Sequence, residues 1–341
     1  MDKRMQLELG EYLPDKIPGF YGLSQIEKFA GGQSNPTYLL TADSGQYVLR
    51  KKPMGKLLKS AHAVDREYRV IKALQYSGVP VPRALYLSPE PSVIGEMFYV
   101  MSYEPGTIYW DPALPELTPQ TRHAVYAGMN KVMACLHDIA PSEIGLDDFG
   151  RPGNYFERQI ARWQQQYLES IDEPDPNMLR LVSWLNANSP QDDGQISLIH
   201  GDIRLDNFIF DPQTTEIKAL LDWELSTLGH PLADLAYQCM QLRMPNSSAL
   251  KGLGGLDRKA LGIPSEEEYV GLYCQSRGID KISDWSFYLC FSFFRFAAIL
   301  QGVMRRAQQG NASSDKAAAY GELAPMLAAM AIEHLETNNQ I

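Results

Sequence analysis

Residues 196–223 constrain this chain more than any other stretch, because they form one strand-prone island inside a long region of helical periodicity. Ser197–Ile199 leads into His200-Gly201-Asp202-Ile203-Arg204-Leu205-Asp206-Asn207. A short apolar run follows, Phe208–Phe210, then a turn over Asp211–Thr215 and a second run, Ile217–Leu221, that ends at Asp222. Antiparallel pairing of the two runs returns both flanks to the same end of the ribbon. Asn207 and Asp222 are symmetric about a point between Thr214 and Thr215, so the hairpin is expected to set an amide oxygen beside a carboxylate, with a bulge able to shift the register by one. Asp202 is expected in the loop at that same end. Hard cations such as Mg²⁺ take a few oxygen ligands of this kind and complete their shell with water and phosphate. Asp206 and Asp211 read as ordinary strand-end and turn residues.

The first hundred residues carry a second constellation. Ile26–Phe29, Thr37–Thr41, Gln46–Arg50, Ala84–Leu87 and Met97–Ser102 are short β-prone runs separated by Gly, Asn-Pro and Asp-Ser-Gly punctuation. Between the third and fourth runs a helix is predicted over about Ala61–Ser77, with Val64, Tyr68, Ile71 and Leu74 on its apolar side. Glu67 falls on that side too, and a carboxylate there is costly unless a cation meets it. Arg50, at the end of the third run, is the natural partner. Lys52 points to the same strand face and is the fallback. The Gly31-Gly32-Gln33-Ser34 stretch, joining the first two runs, can offer backbone N–H groups to phosphate, though Gly-Gly is equally a plain hairpin turn.

The pattern changes at Tyr103-Glu104-Pro105-Gly106. Beyond it helices are predicted from Thr118-Pro119 to about His137, and over Tyr155–Ile171, Met178–Asn188, Leu232–Arg243, Trp285–Gln309 and Asp315–Glu336. Ser265 and Glu268 form a capping-box signature for one more. The expected architecture is α+β: residues 1–103 as a small antiparallel sheet with a packed helix, and residues 104–341 as a mainly helical lobe. At 341 residues two lobes are the natural division, and 45% hydrophobic content is that of an ordinary globular chain. The formal charge of −10 argues against a nucleic-acid partner. Cys135, Cys239, Cys274 and Cys290 lack metal-site or disulfide-framework spacing, which fits a reducing, cytoplasmic compartment. Residues 1–15 lack the apolar core of a signal peptide. The apolar stretch Phe287–Leu300 contains Ser292 and Arg295 and reads as a buried helix, so no membrane partner is expected.

The ordered set Val48-Leu49-Arg50, Asp65-Arg66-Glu67-Tyr68, His200-Gly201-Asp202-x-x-x-x-Asn207, Leu221-Asp222-Trp223 and Phe294-Arg295 resembles the aminoglycoside phosphotransferase family, which has the protein-kinase-like fold. It is most similar to the branch whose kinase-like domain is fused to acyl-CoA dehydrogenases. The resemblance implies a phosphotransferase using ATP (or GTP) and Mg²⁺ to phosphorylate a small-molecule hydroxyl. By this likeness Asp202 is the catalytic base, Asn207 and Asp222 are the magnesium ligands, and Arg204 lies near the transferred phosphate. Arg50 takes a position where protein kinases keep lysine, paired with the helix Glu67; arginine is always charged and can hold phosphate in a forked grip. Residues 31–34 fall where the loop over the phosphates is expected, and the backbone of Ser102 and Tyr103 where a hinge would face adenine. The likeness leaves the acceptor open between a cationic compound, such as an aminoglycoside or choline, and a hydroxylated acyl metabolite. A nucleotide-binding regulatory module with little transfer activity, motivated by Arg50 in place of lysine, is the alternative, and a metal-dependent hydrolase is a third reading.

Other polar residues have plainer readings. His137 is expected to pack or cap, His200 to brace its loop, and His62 and His123 lack metal-ligand spacing. Asp234, by the same resemblance, holds the backbone of the loop around Asp202. Arg295 is a buried charge that calls for an acidic partner.

Overall fold

The computed structural model describes residues 3–29, 35–53, 63–247, 249–308 and 317–341. In chain order the first elements are α1 (Lys3–Tyr12), β1 (Leu23–Lys28), β2 (Thr37–Ala42), β3 (Gly45–Lys51), α2 (Val64–Leu74), β4 (Ala84–Leu87) and β5 (Phe98–Ser102). Then follow α3 (Pro119–Asp138), α4 (Tyr155–Glu169), α5 (Pro176–Ala187), β6 (Ser197–Ile199), β7 (Phe208–Phe210), β8 (Ile217–Leu220) and β9 (Thr227–Gly229). The chain ends with α6 (Leu232–Arg243), α7 (Arg258–Leu261), α8 (Glu266–Arg277), α9 (Trp285–Gln308) and α10 (Ala317–Thr337). These elements form two compact units, residues 1–108 with 206–226, and residues 109–205 with 227–341. The ribbon that carries Asn207 and Asp222 is therefore part of the first unit, whereas the expected division at residue 104 grouped it with the helices.

In the first unit the five strands make one antiparallel sheet in the order β1-β2-β3-β5-β4. Leu9, Leu13, Phe20, Leu40, Leu49, Phe98 and Val100 form its core with α1 against the sheet. Burying a Leu or Phe side chain of this kind contributes roughly 1.5–3 kcal/mol. Successive side chains on a strand point to opposite faces. Leu49 therefore enters this core while its neighbour Arg50 meets Glu67 on α2.

The β7–β8 ribbon is stitched into the same unit. Thr107 and Phe210 exchange backbone bonds of 2.8 and 2.9 Å, and the Leu220 N–H donates to Pro80 O at 2.8 Å. Gly106 permits this approach: a Cβ there would lie 2.4 Å from Ile209 Cγ2 and 2.6 Å from Phe210 O. The ribbon pairs Phe208 with Leu220 and Ile209 with Ala219, and then a bulge pairs Phe210 with Ile217. This register is one residue away from the symmetric expectation. Asn207 O accepts from the Leu221 N–H at 2.8 Å, so Asn207 stands opposite Leu221, with Asp222 one residue beyond. Asp211 caps the turn by accepting from the Gln213 and Thr214 N–H groups, the plain role expected of it.

The second unit is mainly helical. The expected capping box is present, with Ser265 Oγ accepting from the Glu268 N–H at 3.1 Å and Glu268 Oε2 from the Ser265 N–H at 2.7 Å. Helix α9 is long and apolar enough to cross a membrane, but its side chains from Phe287 to Ala298 are buried in this unit, where it packs against α4, α5, α6 and α10. The only strand pair of this unit among the described residues is β6 with β9, joining Ser197 to Gly229 and Ile199 to Thr227. Neither β9 nor α1 has a clear sequence signal: β9 is three residues long, and α1 buries only Met5 and Leu9. The glycine-rich stretch around Lys251–Gly255 reads from sequence as a flexible loop, and the structure pins it instead. Leu253 and Gly254 N–H groups donate to Leu242 O and Met244 O at 2.9 and 2.8 Å, and Lys251 Nζ lies 2.6 Å from Asp111 Oδ2.

Candidate active site

Two polar centres stand out, one in each unit. In the first unit Arg50 is the hub. Its Nε lies 3.2 Å from Glu67 Oε2, and its Nη2 lies 2.8 Å from Asp222 Oδ1 and 3.6 Å from Glu224 Oε2. Glu67 is fully buried and also accepts from Asn35 Nδ2 at 2.7 Å and from the Tyr99 hydroxyl at 3.1 Å. Burial works against the Arg50 charge, but Glu67 and Asp222 outweigh it and hold the guanidinium more firmly protonated than usual. Burial pushes Glu67 above the ordinary carboxylate range; Arg50 pulls it down, and Asp222 pushes it up again. One guanidinium is thus shared between at least two carboxylates, and its Nε–H has no aligned acceptor among the described residues. Asp222 adopts a left-handed conformation, with φ 66° and ψ 61°, where the ribbon gives way to the short 3₁₀ turn Trp223–Leu225. That turn packs on α2, which brings the acidic pair Asp222 and Glu224 to Arg50.

In the second unit the centre is the loop after β6. Asp234, near the start of α6 and 1% exposed, accepts from the His200 N–H at 2.6 Å and the Gly201 N–H at 2.8 Å. Its Oδ2 lies 3.3 Å from His137 Nε2, and His137 Nδ1 lies 2.8 Å from the Tyr273 hydroxyl. Burial alone would raise Asp234, but His137, His200 and the Gly201 N–H outweigh it and hold the carboxyl below its usual range. His200 braces the loop through Nδ1, which accepts from the Asp202 N–H at 3.2 Å. Asp202 Oδ1 accepts from the Tyr237 hydroxyl at 2.7 Å. Arg295 meets a carbonyl and two ring faces instead of the expected acid: Nη2 donates to Gly201 O at 3.0 Å, and the guanidinium lies 5.4 Å from the Tyr237 ring centre and 5.8 Å from that of Trp163.

The expected residues divide as follows. Arg50, Glu67 and Asp222 come together, and Asn207 lies on the same ribbon as Asp222. Lys52 does not join them; its Nζ pairs with Glu90 at 3.0 Å. The Ser102 N–H donates to Arg83 O at 2.9 Å. Gly31, Gly32, Gln33 and Ser34 lie outside the described residues. Arg204 is half-buried in the loop and close enough to Tyr237 to act on its hydroxyl. Asn35, Tyr99 and Tyr237 have no signal in the sequence, because each acts on a residue more than thirty positions away. A cavity of about 370 Å³, lined by Arg151, Asn154, Asp193, His230 and Tyr288, opens at the end of the β6–β9 pair opposite the Asp202 loop. None of the expected site residues lines it.

The fold is the protein-kinase-like fold of small-molecule phosphotransferases. A crystal structure from Ralstonia eutropha, of a protein assigned to the aminoglycoside phosphotransferases, is 44% identical, matches with a TM-score of 0.89, and aligns over 97% of this chain and 98% of its own. A spectinomycin phosphotransferase solved with ADP and spectinomycin shares the fold at 14% identity, with a TM-score of 0.63 over 95% of this chain and 98% of its own. Residues 25–257 match the phosphotransferase enzyme family, and the chain belongs to that family. Among curated relatives, acyl-CoA dehydrogenase family member 10 of Mus musculus is 48% identical over 91% of this chain. The chain spans 29% of that relative's length.

Proposed function

We propose that this protein moves the γ-phosphate of ATP to a hydroxyl group of a small molecule, with Mg²⁺ bound by Asn207 and Asp222. The observation that carries this reading is the sharing of one buried guanidinium, Arg50, between Glu67 and Asp222. Such a centre carries more carboxylate than guanidinium charge and accepts a further cation. Asn207 and Asp222 offer the oxygen donors that Mg²⁺ prefers, so the residues fit the ion. When bound, Mg²⁺ would supply charge neutralisation to the phosphate oxygens.

The chain's own residues do the rest. The Asp202 carboxylate takes the proton of the acceptor hydroxyl. That oxygen forms its bond to the γ-phosphorus while the bond to the β,γ-bridging oxygen breaks, and ADP leaves with the electron pair. Arg204 offers a positive charge near the transferred group. Arg50 positions phosphate and holds Glu67, and the backbone of Ser102 and Tyr103 faces the base. GTP is the alternative donor.

The relatives' acyl-CoA dehydrogenase names favour a hydroxylated acyl compound over an aminoglycoside as acceptor. The four cysteines are unpaired, which fits a reducing cytoplasmic compartment. The ion pair of Arg50 with Glu67, which the usual lysine would make, supports transfer over a binding module without it. The test is magnesium-dependent ADP release with ATP or GTP, screened over hydroxy acids, their thioesters, choline and aminoglycosides. Acceptor-stimulated turnover that disappears in Asp202→Asn is the expected result. Magnesium-independent release, or full turnover in that variant, overturns the proposal.

A further inference from the structure

Helix α6 reaches the loop after β6 twice. Asp234 holds the His200 and Gly201 N–H groups, and Tyr237, three residues further along and so on the same helix face, holds the Asp202 side chain. Helix α9 adds Arg295, which takes the Gly201 carbonyl and lies over the Tyr237 ring. Phe296 packs edge-on against that ring, with 5.7 Å between centroids. Gly201 is thus held at both its N–H and its carbonyl. Asp202 is held at its N–H by His200 and at Oδ1 by Tyr237.

The geometry points to Tyr237 as a positioning residue for phosphoryl transfer: its hydroxyl fixes the orientation of the Asp202 carboxylate toward the acceptor hydroxyl. This role rests on the reading of Asp202 as the base. The Tyr237 ring is 3% exposed and wedged between Phe296 and Arg295, so the hydroxyl has a fixed origin. A donor 2.7 Å from Oδ1 sets the rotation of the carboxylate about its Cβ–Cγ bond, which a loop carboxylate otherwise explores. Burial first, and then the Asp202 charge, push the Tyr237 hydroxyl well above its usual range, while Arg204 and Arg295 pull it down. It therefore stays a donor across the working pH range.

Tyr237→Phe keeps the ring, its contact with Phe296 and its place under Arg295, and removes only the hydroxyl. The expected result in the full chain, assayed by magnesium-dependent ADP release with the acceptor found by screening, or with water if none is found, is a kcat lower by about tenfold. The KM for nucleotide is expected to stay within about twofold. Tyr237→3-fluorotyrosine, a stronger donor of nearly the same shape, should keep kcat near that of wild type, and it keeps the test open if the Phe variant fails to fold. Wild-type kcat in Tyr237→Phe, beside an inactive Asp202→Asn, overturns the positioning role and leaves the base in place. A kcat lowered equally in Tyr237→Phe and in Tyr237→3-fluorotyrosine also overturns it, since it assigns Tyr237 to folding alone. Full activity in Asp202→Asn removes the base itself.

Discussion

Each unit buries one carboxylate almost completely, and the two are displaced in opposite directions. Asp234 in the helical unit is held below its ordinary range, whereas Glu67 in the sheet unit is pushed above it. The difference lies in the partners. Asp234 accepts two backbone N–H groups and faces His137. These are fixed dipoles and a ring held by Tyr273. Glu67 depends on Arg50, which it shares with Asp222. One centre is electrostatically settled and suits the task of holding a reactive loop still. The other has charge left over and suits the task of receiving a charged ligand.

The sharpest way to break this comparison is Arg50→Ala. It strands Glu67 without its cation, and the expected cost is about 3–5 kcal/mol in urea unfolding. An unchanged midpoint would mean that Asn35 and Tyr99 suffice and that the first centre is as self-contained as the second. Next in size is Asp222→Asn, which should raise the Mg²⁺ concentration for half-maximal ADP release by about a hundredfold. A matching Mg²⁺ titration of wild type and variant checks it, and identical curves would place the ion elsewhere. Asn35→Ala removes a 2.7 Å donor to buried Glu67 and should cost about 1–3 kcal/mol by the same unfolding assay. A neutral result would assign Glu67 to Arg50 and Tyr99 alone.

The smallest effect concerns acid. Burial would raise Glu266, but the paired bonds from Arg243 at 2.6 and 2.7 Å outweigh it and lower the carboxyl. A carboxyl lowered in the folded state contributes stability that is present above its ordinary value, near 4.5, and lost as pH falls through its folded value. Glu266→Gln should therefore destabilise by about 1 kcal/mol at neutral pH and converge on wild type in strong acid, as followed by thermal melts across pH. Parallel melting curves at every pH would sharpen the comparison by removing Glu266 from the acid-sensitive carboxylates of that unit.

The first centre was partly legible in the sequence, because a glutamate on the apolar side of a helix demands a cation and a basic strand end stood ready. Asn35 and Tyr99 were not legible. Neither breaks a pattern locally, and their meaning appears only when the strands pair. Tyr237 is the extreme case, being one more apolar residue in a buried helix until its hydroxyl meets Asp202. The ribbon shows a different limit. Its existence and its ends followed from symmetry about the turn, but a bulge moved the pairing by one residue, and no local residue choice announces that shift. Most helices and strands were plain from periodicity and capping. Elements that bury two side chains or span three residues, such as α1 and β9, left too little pattern to read.

The interleaving of the two units has a consequence for how the protein is made. The first sheet lacks its stitched ribbon until residue 226 has emerged, about a hundred residues after the sheet itself is synthesised. At typical elongation speeds that interval is roughly 5–20 seconds. During it the Gly106–Thr107 edge, which pairs with Phe210 in the finished molecule, waits on the ribosome for a partner still inside the tunnel or not yet translated.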